Sequence, residues 1–311
     1  MGARLSTLPG APVDAPTPAR RVLRVIGMVR YRFFLYAGLL PYLLGAAWAY
    51  AIAGSFDAAL FWGGFLGVVL AVIGVEAFNE YFDARMGTDR VFNPDELPPI
   101  PVGVFWIGVA AFAGALAVGA YLTARVGWPV LIFALLGGAA AIFYEAPPIR
   151  WSYRGLGEIV IALAYGPWLV LGSLYLHTGA LSGAAFWASL VPGCLIMALA
   201  VVNAIPDFQQ DRLVGKRNLV VRIGRRRAVW LYVGLAAAAL VVVIGGVAGR
   251  QFPPGCLAAL AAIPLLIASA RHAVGTYERP RLFLPAIRSI VACYAVAVGL
   301  FTLGLFLPFT G

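Results

Sequence analysis

At 311 residues, 62% of them hydrophobic and 12% charged, with a mean hydropathy of +0.90, the chain is too apolar for a soluble core and has no polar stretch long enough for a soluble domain. Its apolar runs of about 20 residues have the length that crosses a bilayer, which specifies an all-α polytopic membrane protein. The formal charge of +10 does not imply nucleic acid, because the basic residues are spread through short loops beside the apolar runs.

Residues 1–28, rich in Pro and Ala and lacking an apolar core, read as a disordered cytoplasmic tail without a signal peptide, and 29–311 as one transmembrane domain. Nine spans are predicted, near 33–53, 60–81, 102–124, 128–144, 156–176, 184–203, 227–248, 254–272 and 284–306. Basic residues orient them. Arg20, Arg21, Arg24, Arg30 and Arg32 precede the first span; Arg85, Arg90, Arg150 and Arg154 fall in alternate loops; Arg212, Lys216, Arg217, Arg222, Arg225, Arg226 and Arg227 crowd the loop after the sixth. The intervening loops offer only Arg125 and Arg250. The positive-inside rule therefore places the N-terminus in the cytoplasm, the C-terminus outside and the long loops on the cytoplasmic face of a plasma (inner) membrane. Cys194, Cys256 and Cys293 lie in apolar segments without metal-like spacing, and they read as small buried residues. His177 and His272 also read as structural.

Only 13 residues are Asp or Glu, and they concentrate where two apolar runs end. Asn79-Glu80-Tyr-Phe-Asp83-Ala-Arg-Met-Gly87-Thr-Asp89 closes the second span, and Asn203-Ala-Ile-Pro-Asp207-Phe-Gln-Gln-Asp211 closes the sixth. A single Asp at a span end is ordinarily a solvated cap, but a repeated Asn-x-x-x-Asp at two equivalent places is a costly arrangement that marks function. On a helix Asn203, Asp207 and Asp211 would share a face, although Pro206 is predicted to break the helix just before Asp207. Glu76, deeper in the second span, either lines a cavity or pairs with an arginine. Facing carboxylate pairs suit Mg²⁺, which takes oxygen ligands and bridges them to a substrate's phosphates. Asp83, Asp89, Asp207 and Asp211 are the candidate ligands, with amide oxygens from Asn79 and Asn203; Gly87 lets the chain turn so that Asp89 swings back. Lys216, the only lysine, together with Arg217 and Arg212, can balance a departing pyrophosphate.

These residues resemble the motifs of the UbiA superfamily of intramembrane prenyltransferases. Asn79-x-x-x-Asp83-x-x-x-Gly87-Thr-Asp89 is similar to its first aspartate motif, and Asn203-x-x-x-Asp207-x-x-x-Asp211, followed by Gly215-Lys216-Arg217 and Val221-Arg222-Ile223-Gly224, to its second. The likeness extends to the connecting segment Tyr144-Glu-Ala-Pro-Pro-Ile-Arg150-Trp-Ser-Tyr153-Arg154-Gly-Leu-Gly-Glu158. Glu80 stands where many members have Asp, and Asn218 where many have Thr. The resemblance implies nine transmembrane helices around a central cavity, Mg²⁺ held by catalytic Asp83, Asp89, Asp207 and Asp211, and an isoprenyl diphosphate with its tail among the helices. The Gly-Thr-Asp ending and the Tyr-Arg-Gly-Leu-Gly-Glu segment are closest to the dihydroxynaphthoate branch, with 4-hydroxybenzoate or another lipid acceptor as the alternative. Arg150, Tyr144, Tyr153, Arg154 and Arg30 are the expected contacts for the aromatic acceptor. Tyr144, Tyr153 and Phe82 can also offer ring faces to an allylic cation. A carrier for an anionic metabolite, the competing class, would hold its site at the midplane, whereas these acids sit at one end of the spans. Membrane lipid is the expected surrounding, nucleic acid is not an expected partner, and the oligomeric state is open.

Overall fold

The computed structural model describes residues 31–86 and 100–307, with side chains over 38–85 and 100–307. The predicted tail, Arg30, Gly87 and Asp89 lie outside the described residues. Helix α1 spans Tyr31–Ala51, α2 Ala58–Met86, α3 Val102–Val126, α4 Pro129–Ile142, α5 Gly157–Thr178 and α6 Gly183–Ala204. Two short helices follow, α7 (Phe208–Leu213) and α8 (Leu219–Ile223), then α9 (Arg225–Ala248), α10 (Pro254–Thr276) and α11 (Leu284–Gly304). No strand occurs among the described residues. The protein is an all-helical, multi-pass membrane protein: α2, α3, α5, α6, α9, α10 and α11 are long and apolar enough to cross a bilayer.

Local chemistry sets the boundaries. Asp57 Oδ1 accepts from the Leu60 N–H at 2.9 Å at the start of α2, and Ser182 Oγ accepts from Ala185 N–H at 3.3 Å as the N-cap of α6. Gly179, at φ 65°, ends α5 in the left-handed conformation. His177 is used structurally, as expected: its Nδ1 accepts from Asp57 N–H at 3.2 Å and its ring stacks on Phe56. Helix α4 has only 14 residues, about 21 Å at 1.5 Å per residue and short of the ~30 Å bilayer core. The chain that follows α4 folds back on itself, with Trp151 N–H and Ser152 N–H donating to the Phe143 and Tyr144 carbonyls at 2.9 and 3.1 Å.

The two halves of the bundle pack differently. In α6, 67% of the most apolar stretch is buried, against 17% in α2, so α6 is the interior helix. Its fully buried Ala188, Val191, Leu195, Ala198, Leu199 and Val202 recur at helical spacing and meet α1, α5, α9 and α11 in one core. On the other side α2 packs on α3, and between α2, α3, α4 and α5 lies an apolar cavity of about 520 Å³. A narrower compartment of about 120 Å³, sharing Val68, Ala71, Gly137 and Leu169 with it, reaches Asn79 and Tyr144.

Small residues let the solid half close up. A Cβ on Gly45 of α1 would run into the Val170 carbonyl and the Ser173 side chain of α5, and Ser173 Oγ donates to the Tyr42 carbonyl at 2.7 Å across the same contact. Helix α5 carries a bulge at Ala164–Trp168, where Gly166 (φ −94°, ψ −105°) precedes Pro167. There a Cβ on Gly166 would lie 2.8 Å from Gly193 Cα, so the bulge is where α5 seats on α6. Gly45→Ala should therefore destabilise the protein by about 1–3 kcal/mol through overpacking against backbone. Gly234→Ala, with open space around its Cβ position, should stay within about 0.5 kcal/mol of wild type or gain slightly from helix propensity. Thermal unfolding in detergent compares the two; equal midpoints would contradict the close α1–α5 contact.

Candidate active site

The carboxylate-bearing ends of α2 and α6 are brought together through the loop between α4 and α5. Helix α6 stops at Ala204, and residues 205–207, with Pro206 at their centre, form a turn before α7. Asn203, at the end of α6, therefore does not share one continuous helical face with Asp207 and Asp211. Asp207 is exposed and sits at the N-cap of α7, while Asp211, one turn on, is 4% exposed. Asn218 Nδ2 donates to Asp211 Oδ2 at 2.6 Å, and Asn218 Oδ1 accepts from Val221 N–H at 2.8 Å, capping α8.

Lys216 occupies the centre. Its main-chain N–H donates to the Asp211 carbonyl at 2.8 Å. Its Nζ lies 3.1 Å from Glu145 Oε1 and 3.8 Å from Asp83 Oδ1 on α2, with the Tyr153 ring centroid 5.6 Å away. The 143–156 loop and the 214–223 segment are stitched into one unit around this lysine. Arg217 N–H donates to the Tyr153 carbonyl at 3.3 Å, the Arg222 guanidinium to the Arg154 and Arg217 carbonyls at 2.7 and 2.9 Å, and Leu219 N–H to Glu158 Oε1 at 3.0 Å.

One ammonium faces three carboxyl groups, so the cluster is short of positive charge. Burial, reinforced by Asp207 and Asp83 and partly offset by Lys216 and Asn218, pushes Asp211 up to about 6. Burial likewise outweighs the pull of Lys216 on Glu145, which rises to about 7 with Asp83 adding to the effect. Burial opposes the charge on Lys216, but Glu145 and Asp83 overcome it and hold the ammonium well above the ordinary lysine range. The Tyr153 phenol is pushed up to about 12, first by burial and then by Glu145.

Of the residues singled out from sequence, Asp83, Asp211, Lys216 and Tyr153 meet around this cluster, and Asn79 and Tyr144 line the adjoining compartment. Arg150, in the left-handed conformation at φ 53°, places its guanidinium carbon 5.5 Å from the Tyr153 ring centroid. Arg212, Arg217 and Arg154 are exposed; Arg217 contributes its main chain, and Arg154 donates to the Pro148 carbonyl at 3.2 Å. Phe82 packs against Tyr81 and Phe78 in the α2–α3 aromatic cluster. Sequence reading assigned no role to Glu145, Glu158 or Asn218. The available signal was a carboxylate next to Tyr144 and a second at the head of α5, in a chain with a single lysine. Among the described residues no three His, Cys, Asp or Glu side chains gather into a metal-holding group.

Comparison with known proteins gives the same direction. Residues 38–290 match the UbiA prenyltransferase family. The 1,4-dihydroxy-2-naphthoate octaprenyltransferase of Bacillus subtilis is 24% identical over 281 residues, covering 88% of this chain and 90% of that one. The 1,4-dihydroxy-2-naphthoate octaprenyltransferase of Mycobacterium tuberculosis is 30% identical over 75% of this chain and 84% of its own. A UbiA homologue from Archaeoglobus fulgidus, solved with GPP and Mg²⁺, superposes with a TM-score of 0.54 at 18% identity over 87% of this chain and 98% of that one; this likeness is one of fold.

The raised carboxyls make stability depend on pH with a definite sign. Between the unfolded value near 4 and the folded values of about 6 and about 7 for Asp211 and Glu145, the folded state binds more protons than the unfolded. Stability without divalent metal should therefore fall as pH rises through that window, while Lys216 stays protonated in both states throughout it. A carboxyl moved from 3.8 to about 6 contributes on the order of 2–3 kcal/mol to that fall. Asp211→Asn should flatten the decline in thermal midpoint between pH 4.5 and 8; an equally steep decline in the variant would remove Asp211 as its source.

Proposed function

The chain belongs to the UbiA prenyltransferase family and is a multi-pass membrane prenyltransferase, and from that premise we propose a Mg²⁺-dependent transfer of a polyprenyl group from an isoprenyl diphosphate to dihydroxynaphthoate, on the cytoplasmic face of the plasma membrane. One observation carries the reading: an apolar cavity between α2, α3, α4 and α5 continues into a compartment that reaches Asn79 and Tyr144, next to a cluster in which carboxyl groups outnumber the one ammonium, Lys216. A donor with an apolar tail and a metal-binding diphosphate head has the same two halves. The names of the curated relatives support the naphthoate acceptor, and the archaeal homologue seen with GPP and Mg²⁺ supports the metal.

The donor set fits a hard cation. All its atoms are oxygens, and Asn79 Oδ1 is buried without a hydrogen-bond partner beside the compartment. Asn79, Asp83, Asp89, Asn203, Asp207 and Asp211 would hold Mg²⁺, with diphosphate and water oxygens completing its shell. When bound, the metal neutralises charge that develops on the departing diphosphate. Lys216 directs a charged ammonium at the same oxygens, and Arg217 and Arg212 supply further charge from the rim. As the C–O bond to diphosphate breaks, Tyr144 and Tyr153 turn ring faces to the allylic cation; the Tyr153 ring already lies beside two cations, Lys216 and Arg150. Arg150, with a buried Nε lacking a partner, receives the acceptor's carboxylate, with Arg154 and Arg30 at the mouth. Attack by the electron-rich ring carbon forms the new C–C bond and releases the carboxylate as CO₂. Residues 29–311 form one membrane domain in which α1 and α4 join the seven long helices to give nine spans, with the N-terminus inside. A reporter after Gly311 should then read outside, and one between Asp211 and Arg225 cytoplasmic; the reverse pattern would mean a miscounted span.

Purified protein given Mg²⁺ and a long-chain prenyl diphosphate should convert 1,4-dihydroxy-2-naphthoate into a prenylated, decarboxylated product identified by mass. Product from 4-hydroxybenzoate alone, with its carboxylate kept, would overturn the acceptor, and absence of pyrophosphate release with any acceptor would favour an anion carrier. Asp83→Ala and Asp207→Ala should each cut kcat by at least about 100-fold in folded protein; wild-type turnover in both would sink the two-motif site.

A further inference from the structure

Resting on the metal-dependent reading above, we propose that Glu145 is a positioning residue: it anchors the Lys216 ammonium as an internal counter-cation that yields Asp83 to a divalent ion while staying bound to Glu145. The two arms of the lysine contact are unequal. Nζ is 3.1 Å from Glu145 Oε1 but 3.8 Å from Asp83 Oδ1, and the Glu145 side chain is 3% exposed against 29% for Asp83. Glu145 is fixed by its loop, where Ala146 N–H donates to the Ile142 carbonyl at 3.2 Å and Ser152 N–H to the Tyr144 carbonyl at 3.1 Å. Asp83 lies on the last turn of α2 and takes the longer arm, through an Oδ1 that is itself buried although the side chain as a whole is more exposed than that of Glu145.

This asymmetry gives the lysine two duties. Before metal arrives it offsets part of the negative charge of the carboxyl groups that face it. When metal takes Asp83, only the weak arm opens, and no backbone has to move because the lysine stem is flexible. Glu145 then keeps the ammonium facing the place where the donor's diphosphate meets the metal. Without the Glu145 charge, the nearest carboxylate to Lys216 is Asp83, and the ammonium competes with metal for it at full strength. Glu145 Oε2, buried and without a hydrogen-bond partner, raises a rival role, direct ligation of the metal by Glu145 itself.

A double-mutant cycle on metal binding separates these roles without using turnover. Mn²⁺ binding to the full-length, detergent-purified protein is measured by electron paramagnetic resonance for wild type, Glu145→Gln, Lys216→Met and the double variant. Glu145→Gln should bind Mn²⁺ about tenfold more weakly and Lys216→Met about threefold more tightly than wild type, with the double variant within about twofold of Lys216→Met. Glu145→Asp should recover most of the affinity lost in Glu145→Gln. Weakening by Glu145→Gln of the same size with and without Lys216 would make Glu145 a ligand and overturn the proposal. Equal Mn²⁺ binding by all four proteins overturns it as well, leaving the metal reading intact; no Mn²⁺ binding by any of the four overturns the metal reading and the proposal together. Monodispersity and thermal midpoint report folding, and if Lys216→Met does not fold, Lys216→Gln, which keeps a neutral donor for Glu145, takes its place in the cycle.

Discussion

The arrangement depends on one buried ammonium. Lys216 is the only lysine in the chain, and it is held by carboxylates from two elements that are otherwise tens of residues apart. Removing either partner of a buried pair leaves a charge without compensation, which is far costlier than an exposed ion pair is favourable. That penalty ties the end of α2 to the 143–156 loop and the 211–217 segment. The backbone bonds from Arg217, Arg222 and Leu219 then fix the spacing that the charges require. The same concentration of acids over bases leaves an appetite for further positive charge, and the protein keeps it at the mouth of an apolar cavity.

That cavity is possible because the bundle divides its work. Around α6, small residues and helix-spaced aliphatic side chains fill the interior, and the α5 bulge seats against Gly193. Around α2, α3 and α4 the packing leaves space, and α4 ends about one third short of a bilayer's apolar depth. Irregular backbone beside membrane helices is tolerated where it lines a cavity or is buried in protein. Tyr144 and Glu145 occupy that stretch, one lining the compartment and the other holding the lysine. The short helix thus delivers both the apolar volume and its polar lid.

Much of this was legible in the chain. Long apolar runs announce helices because each must satisfy its own backbone in lipid, and the predicted segments fall on the observed helices within a few residues. The break at Pro206 was legible for the same covalent reason, a missing N–H and a ring clash. That break also undoes the expected shared face of Asn203 with Asp207 and Asp211, two expectations that conflicted within one motif. The Lys216–Glu145 pair was not legible, since the partners are 71 positions apart and only the tertiary path decides which acid the lysine meets. Composition marked α4 as a helix like the others but not its shortness, since no periodicity distinguishes a 14-residue helix from the first two thirds of a longer one.

Asn218 shows how a departure from a motif acquires a physical sense. A threonine at that position offers one oxygen for every local bond. The asparagine amide divides the work between two atoms: Oδ1 caps α8 through the Val221 N–H, while Nδ2 donates to Asp211 at 2.6 Å. A neutral donor therefore positions the buried carboxylate without adding charge, and α8 is capped at the same time. Had an arginine or lysine taken that place, Asp211 would be fully paired and the cluster's deficit of positive charge would shrink. The amide keeps the acid ordered and the deficit open, as the proposed divalent-cation site requires.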